Sequence, residues 1–306
     1  EVDQLLDSST GRVSIHVAPE FVSLLRQRSW GQGVAEVELP EFYSVEGVTR
    51  LHLENGKSRL VSTFRPHQSL RTEGSESTEP RLLLFATAHF ETSKENSRTP
   101  GPEESDFAIH YEFYETDMTT LNSWIGDEAL SADGPDLRNR FEKAISEGDA
   151  TLLDSVVVAG APGEVRFLSA RQFLYPTYYD APEVDRPVPA MPEAFQEWEV
   201  GLLIQFQSEW QPNGSLRIAP QDRSDRGRPT AQHVVRWDRE IGEQRWLERE
   251  SEVAFPLFYS MKIEQPVYLH PEEVVLLGTL RPHPEEGETK QSIITVYARM
   301  EKILGE

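Results

Sequence analysis

Cysteine is absent from all 306 residues. That excludes disulfides, thiolate-bound zinc and thiol nucleophiles together. The absence suits a bacterial envelope protein that avoids the oxidising chemistry of the periplasm. Long apolar runs are missing too, and none approaches the roughly 20 residues that a membrane-spanning helix needs. Positive charge is in deficit, with 30 Lys and Arg against 52 Asp and Glu, a net charge of -22. Such a field repels phosphate backbones and anionic lipid heads, which argues against nucleic acid and membrane surfaces as partners. No GxSxG elbow, GxxxxGK[ST] loop or GxGxxG loop occurs, so the common signals for a serine hydrolase, a P-loop NTPase and a dinucleotide enzyme are lacking. No signal peptide is visible, and a chain that starts at Glu1 is expected to have a processed N-terminus.

What is present is a pattern that occurs twice. GRVSIHVAPE (Gly11 to Glu20), LPEFYSV (Leu39 to Val45), RLHLENGKSRLVSTFRPH (Arg50 to His67) and RLLLFATAHFE (Arg81 to Glu91) follow one another near the N-terminus. The same order returns as GSLRIAPQ (Gly214 to Gln221), FPLFYSM (Phe255 to Met261), YLHPEEVVLLGTLRPH (Tyr268 to His283) and SIITVYARME (Ser292 to Glu301). The offsets are 203 for Gly11/Gly214, 216 for Tyr43/Tyr259 and Arg65/Arg281, and 210 for Glu91/Glu301. Ordered blocks with small gaps are the mark of a duplicated structural unit, and two copies are too few for a solenoid.

Both copies read as β. Arg12 to Val17 and Ser215 to Ala219 alternate polar and apolar residues, while Ser58 to Phe64 and Val274 to Leu280 are apolar runs that stop at Arg-Pro. Leu82 to Phe90 and Ile293 to Met300 are the most apolar strands and are expected to form the cores of their sheets. Asn55-Gly56 is a tight-turn signal, and each copy is expected to be a small antiparallel meander. Leu70 to Pro80 and Thr92 to Ser105 lack apolar anchors and read as loop or linker. Between the copies, Phe107 to Thr116 reads as a strand, and Thr119 to Ile125 and Pro135 to Glu147 as helices. In the second helix Leu137, Phe141, Ala144 and Ile145 share a face, with Gly148 placed to cap its end. Leu152 to Val158 and Val165 to Leu174 follow as strands. The expected fold is α+β, predominantly β: duplicated antiparallel β units with a small strand-helix unit between them. The expected organisation is an N-terminal repeat over 1–95, a linker over 96–105, and the strand-helix unit with the second repeat over 106–306.

These residues carry a resemblance. GDATLLDSVVVAGAPGEVRFLSARQFLYPTYYDAPE (Gly148 to Glu183) resembles the opening of the secretin domain of bacterial type II and type III secretion channels. Pro192 to Phe206, Val267 to Leu280 and Ser292 to Glu301 are similar, in order, to later strands of that domain. Gly11 to Glu91 resembles the second half of another such domain, and Phe107 to Ile145 the short unit that precedes the secretin core. The resemblance implies a secretin-type sheet whose subunits join through strand edges, in the bacterial cell envelope.

Two departures bear on function. The family's "VPvLGdIPllG" segment is replaced by RPHPEEGETKQ (Arg281 to Gln291). The stretch matching the gate and lip hairpins, Pro220 to Glu252, interleaves Arg223, Arg226, Arg228, Arg236, Arg239, Arg245 and Arg249 with Asp222, Asp225, Asp238, Glu240, Glu243 and Glu248. An Arg on a lipid-facing strand costs roughly 2–4 kcal/mol at the bilayer midplane. The chain is therefore expected not to line a membrane pore by itself.

The eight histidines show no metal-ligand spacing; His67/His283 and His52/His270 recur with the duplication. Glu103/Glu104, Glu272/Glu273 and Glu285/Glu286 lie in expected turns, where adjacent carboxylates form a solvated face rather than an acid–base pair. Tyr175 and Tyr178, in a cluster with Phe173 and Tyr179 around Pro176, suit a sugar-stacking platform or the packing of a chain corner. Trp237 and Trp246, with Arg236 and Arg239, are interface candidates on the charged hairpin. No catalytic residue, metal or cofactor is expected. The expectation is a non-enzymatic envelope component, periplasmic, that binds protein partners: itself or a secretion or pilus-like channel. A periplasmic or surface module for ligands such as glycans is the alternative.

Overall fold

A computed structural model describes residues 2–7, 11–64, 81–90, 105–125, 135–181, 188–219, 233–248, 251–283 and 291–303, with side chains for all of these except 2–7, 219, 248 and 252. Leu70 to Pro80, Thr92 to Glu104, His67 and the arginines at 223, 226, 228 and 249 lie outside the described residues. The first copy runs through β1 (Val2–Asp7), β2 (Arg12–Val17), β3 (Glu20–Trp30), β4 (Val37–Glu54), β5 (Ser58–Phe64) and β6 (Leu82–Thr87). The middle unit holds β7 (Asp106–Asp117), α1 (Met118–Ile125), α2 (Pro135–Glu147), β8 (Ala150–Gly160), β9 (Gly163–Asp180) and β10 (Met191–Trp210). The second copy follows as β11 (Leu216–Ala219), β12 (Val234–Glu248), β13 (Ser251–Glu264), β14 (Val267–Leu269), β15 (Val274–Leu280) and β16 (Ser292–Ile303).

Two antiparallel sheets result, and the stretches 1–95 and 106–306 contribute strands to both. One has the order β1-β2-β4-β9-β10-β11-β14, with β3 on β4 and the β12–β13 hairpin on β10. The other has the order β15-β16-β7-β8-β5-β6. Strand alternation sends one set of side chains from each sheet inward. Val45, Phe167, Ile204 and Phe206 of the first sheet meet Phe107, Ile109, Phe113, Val296 and Met300 of the second in one core. The helices lie on the other face of the second sheet, where Leu137, Phe141 and Ala144 bury against Tyr114 and Tyr297. Phe141 stacks on Tyr114 at 5.1 Å, and α2 ends at Gly148 with φ +84°, a conformation that glycine takes without strain. Ile145 is exposed, because the sheet meets only a narrow stripe of the helix.

The duplication is written in the register. Val13 pairs with Leu53 as Leu216 pairs with Leu269. A β-bulge at Leu24/Arg26 opposite Phe42/Glu41 recurs at Glu240/Gly242 opposite Phe258/Leu257, each position displaced by 216. A second bulge at Leu60/Ser62 recurs at Leu276/Gly278. Bulges are specific features rather than noise, so their recurrence fixes the equivalence residue by residue. The last strand then aligns with an offset of 212, Phe85 on Tyr297, rather than the 210 read from Glu91/Glu301.

Three expectations change. The copies are not meanders: β2 pairs with β4 across β3, and β5 leaves for the second sheet. Asn55-Gly56 therefore carries the chain between sheets. The Gly56 N–H donates to the Ala88 carbonyl at 2.8 Å, as the Glu272 N–H does to Met300 at 2.9 Å in the second copy. Finally, β16 is a buried inner strand, but β6 stands at the edge of its sheet with Leu82, Leu83 and Phe85 exposed.

Candidate functional site

The equivalence of the copies exposes a set of pairings that one copy makes and the other leaves open. The strand β16 is paired along its length with β7, Tyr297 opposite Glu112, whereas its counterpart β6 pairs, among the described residues, only with β5. In the other direction β5 pairs with β8 at Ser62/Val158 and Thr63/Val157, whereas its counterpart β15 pairs, among the described residues, only with β16. The first sheet repeats this. Glu41 to Val48 of β4 pair with β9, but the matching stretch of β13 pairs, among the described residues, only with β12. Trp237 of β12 pairs with Leu202 of β10, but Phe21 at the matching place in β3 pairs with no second strand among the described residues. A free strand edge is a template for another strand, and natural edges are usually blunted by Lys, Pro or charge. Neither LLLFAT of β6 nor VVLLGTL of β15 contains such a residue.

Three hairpins, β3–β4, β9–β10 and β12–β13, are tied together by ions. The buried Glu41 carboxylate accepts from Arg26 Nε at 2.6 Å and from Arg171 Nη1 at 2.8 Å. Arg171 also reaches Glu240 at 3.3 Å, and Arg28 Nη2 bridges Glu240 at 2.6 Å and Glu243 at 2.5 Å. The Arg28 guanidinium lies 4.7 Å from the Trp30 ring centre and 5.0 Å from that of Phe173. Burial opposes its charge, but the hydrogen bonds to Glu240 and Glu243 outweigh that and hold its pKa above the usual value. Burial likewise opposes the Glu243 carboxylate, and the bonds from Arg28 and Arg245 pull its pKa below the usual value. Among the described charges of the β12–β13 hairpin, Glu240 and Glu243 thus fasten it to its neighbours.

The interface candidates separate by exposure. Trp246 is 42% exposed at the hairpin tip and stacks on Phe255 at 5.2 Å. Tyr178 is exposed as well. Trp237 is half-buried, edge-on to Phe113 at 5.2 Å, with Arg239 5.5 Å from its ring centre. Arg236 pairs with Asp238 at 2.9 Å, and Tyr175 packs on Phe258 at 5.4 Å. A cleft of about 120 Å³ touches Trp30, Tyr179, Glu243 and Arg245, but the Trp30 ring is 2% exposed and its N–H is spent on the Leu174 carbonyl at 3.0 Å.

One cluster escaped sequence reasoning because its members lie on two strands and a helix. Ser155 Oγ is 2.7 Å from His110 Nε2, and His110 Nδ1 is 3.8 Å from Glu112. The order resembles a nucleophile, base and acid, but the chemistry does not follow. Arg138 grips Glu112 at 2.5 and 2.8 Å, and Tyr114 donates to it at 3.0 Å, so the carboxylate is committed to fastening α2 on the sheet. Ser155 sits within β8, and its amide donates to Asp154 at 2.7 Å. Among the described residues no group of three or more His, Asp and Glu could hold a metal, and His52 is bound to Asp106 at 2.7 Å. No helix among them is long and apolar enough to cross a membrane.

No protein-family model matches the sequence, and no curated protein is similar to it. Solved secretins are similar to it. The type II secretin GspD of enteropathogenic Escherichia coli is 9% identical, over 66% of this chain and 70% of that one, with a TM-score of 0.27. The type IV competence pilus secretin PilQ of V. cholerae is 11% identical, over 66% of this chain and 62% of that one, with a TM-score of 0.29. The secretin-domain β-barrel of InvG from the Salmonella SPI-1 injectisome is 9% identical, over 95% of this chain and 90% of that one, with a TM-score of 0.33. These belong to the family that the sequence motifs resemble. At such identities and TM-scores the likeness says nothing of what the chain does.

Proposed function

We propose that the chain is a non-enzymatic structural component of the bacterial cell envelope, in the periplasm, that assembles through open strand edges with copies of itself or with a secretion or pilus-like channel. One observation carries this reading: β6 and β15 bound the second sheet on opposite sides, both uncharged and, among the described residues, open, while their counterparts β16 and β5 are paired on both sides inside the same chain. Each edge is thus built to accept a strand. The physical gain is large enough to matter, since burying one Phe or Leu side chain contributes about 1.5–3 kcal/mol, and Leu83 and Phe85 are both available on β6. At the hairpin ends the exposed Trp246 and Tyr178 supply contact surface, while Trp237, Arg236, Arg239 and Tyr175 are engaged within the chain by Phe113, Asp238, Trp237 and Phe258. Arg245, whose side chain is 59% exposed on the β12–β13 hairpin, supports reading the chain as one that does not line a membrane pore by itself. The reading requires no cofactor, metal, nucleic acid or membrane insertion.

Sedimentation velocity over a concentration series tests it with two exposed edge substitutions, Phe85→Lys and Thr279→Lys. The unmodified chain is expected to move to larger species as concentration rises, while each variant, folded by circular dichroism, stays at the mass of one chain. A single-chain mass for all three at every concentration contradicts self-assembly. An association that survives both substitutions places the contact elsewhere.

A further inference from the structure

The second copy shows what covers its last strand, and so what the first copy lacks. Tyr297 of β16 is 1% exposed because β7 pairs beside it while Tyr114 and Phe141 close over its ring at 5.9 and 6.1 Å. Thr295 on the same face is 0% exposed. Their counterparts in β6, displaced by 212, are Phe85 and Leu83, which are 55% and 58% exposed. The inward face of β6 is already used, with Leu84 and Ala86 packed against Leu51, Leu53 and Val61. The unused edge and the unused apolar face therefore belong to one vacancy, and the chain contains the template of its occupant.

We infer that β6 is the docking site for a strand–helix unit of the kind formed by residues 106–160, supplied by the protein partner that the proposed function calls for. The inference rests on that reading and names the partner's chemistry. The first strand of the unit adds to β6 in the register of β7 on β16, which sets Phe85 opposite the partner's equivalent of Glu112. Its second helix then lays an aromatic residue, the equivalent of Phe141, over Phe85 and Leu83. Direct pairing of β6 with β15 of another copy is the weaker arrangement, because it would satisfy the edge and leave that apolar face in water. The first sheet ends in the same way. Asp3 pairs with His16 as Gln207 pairs with Ala219, so β1 occupies the place of the last residues of β10, and Val2 stands where Phe206 stands.

That register defines the experiment. A second copy of residues 106–205 is joined directly ahead of Val2 of the full chain, and Leu83→Cys is introduced into both the natural and the extended protein. The natural sequence has no cysteine, so each protein carries a single thiol. Its reaction with a small aromatic disulfide is followed at dilutions where sedimentation finds single chains. Fast labelling is expected in the natural chain, and labelling slowed at least about 100-fold in the extended one, as for an amide or side chain moved into a cooperative core. Slow labelling in the natural chain overturns the inference, since the chain would then cover β6 itself. Fast labelling in the extended chain overturns it too, whether or not the added segment contributes helical signal. The rates are read on single chains, so a failure of self-association leaves this result intact, and an intact self-association cannot rescue it.

Discussion

His233 offers the sharpest test of the packing between the sheets. It is completely buried at the start of β12, with ring centres 6.4 Å from Tyr111 and 6.2 Å from Phe206. Its Nδ1 lies 3.1 Å from the Gln265 carbonyl oxygen, which can only accept, so Nδ1 carries the proton. Nε2 has no hydrogen-bond partner among the described residues, and a second proton there would be a buried charge. Burial pushes the imidazole down to about 4, with the Gln265 bond a smaller effect in the other direction. The unfolded chain protonates this ring near its ordinary value of about 6.5, so from there down to about 4 it binds a proton that the native state refuses. Stability contributed by a neutral His233 is therefore present at neutral pH and lost as pH falls through that window. At about pH 5 the loss is about 2 kcal/mol. His233→Gln keeps a donor for Gln265 and removes the titration. Urea denaturation of both proteins between about pH 8 and pH 5 should give a natural chain that loses about 2 kcal/mol more than the variant. Parallel pH profiles would refute the burial of a neutral imidazole here. His110 is also pushed down, mainly by burial, but it is common to both proteins and cancels. The pKa values of Glu112 and Glu243 lie below the usual carboxylate value, so their stabilisation fades only at more acid pH.

Three further outcomes follow from single contacts. Gly201→Ala would drive a methyl group into the Ser169 carbonyl and within 2.6 Å of the Ala170 Cα, so β9 and β10 must separate locally. A loss of about 3 kcal/mol is expected in denaturant midpoints, and an unchanged midpoint would mean that the hairpin is looser than described. Glu41→Gln puts a neutral amide between Arg26, which is exposed, and Arg171, which still reaches Glu240, at a cost of about 1.5 kcal/mol; a cost below about 0.5 kcal/mol would class the contacts with surface pairs. Glu272 holds φ +66° in the turn where the first copy has Gly56 at +73°. Glu272→Gly should stabilise by about 0.5–1 kcal/mol in thermal melts, and destabilisation would mean that the side chain holds the turn.

How much could be read from the sequence divides along contact distance. The copies, their strands, α2 with its Gly148 cap, and the predominantly β, α+β class rest on local periodicity and turn chemistry, which a linear reading captures. The positions of β6 and β16 do not. LLLFAT and IITVYA are both uncharged and mostly apolar, yet one edges a sheet and the other lies inside it. The difference is made by β7, a strand about two hundred residues from one of them. Asn55-Gly56 carries a genuine turn signal, but such a signal does not say whether the next strand folds back or crosses to a second sheet. The bulges at Leu24/Arg26 and Glu240/Gly242 interrupt alternation by one residue and look like imperfect strands until both copies are aligned on them. The union of Arg28 with Glu240 and Glu243 joins residues more than two hundred positions apart, so the sequence shows the charges of the β12–β13 hairpin but not the partners that Glu240 and Glu243 take.

The central claim is that β6 and β15 are open in the single chain and closed by association. Amide hydrogen exchange of peptides covering residues 82–87 and 274–280, at low and high protein concentration, tests it most directly. The account predicts fast exchange in both at dilution, slowing as concentration rises, while β7 and β8 remain slow throughout. Protection in both strands that already equals that of β7 at dilution would contradict the claim, and so would association that leaves their exchange unchanged.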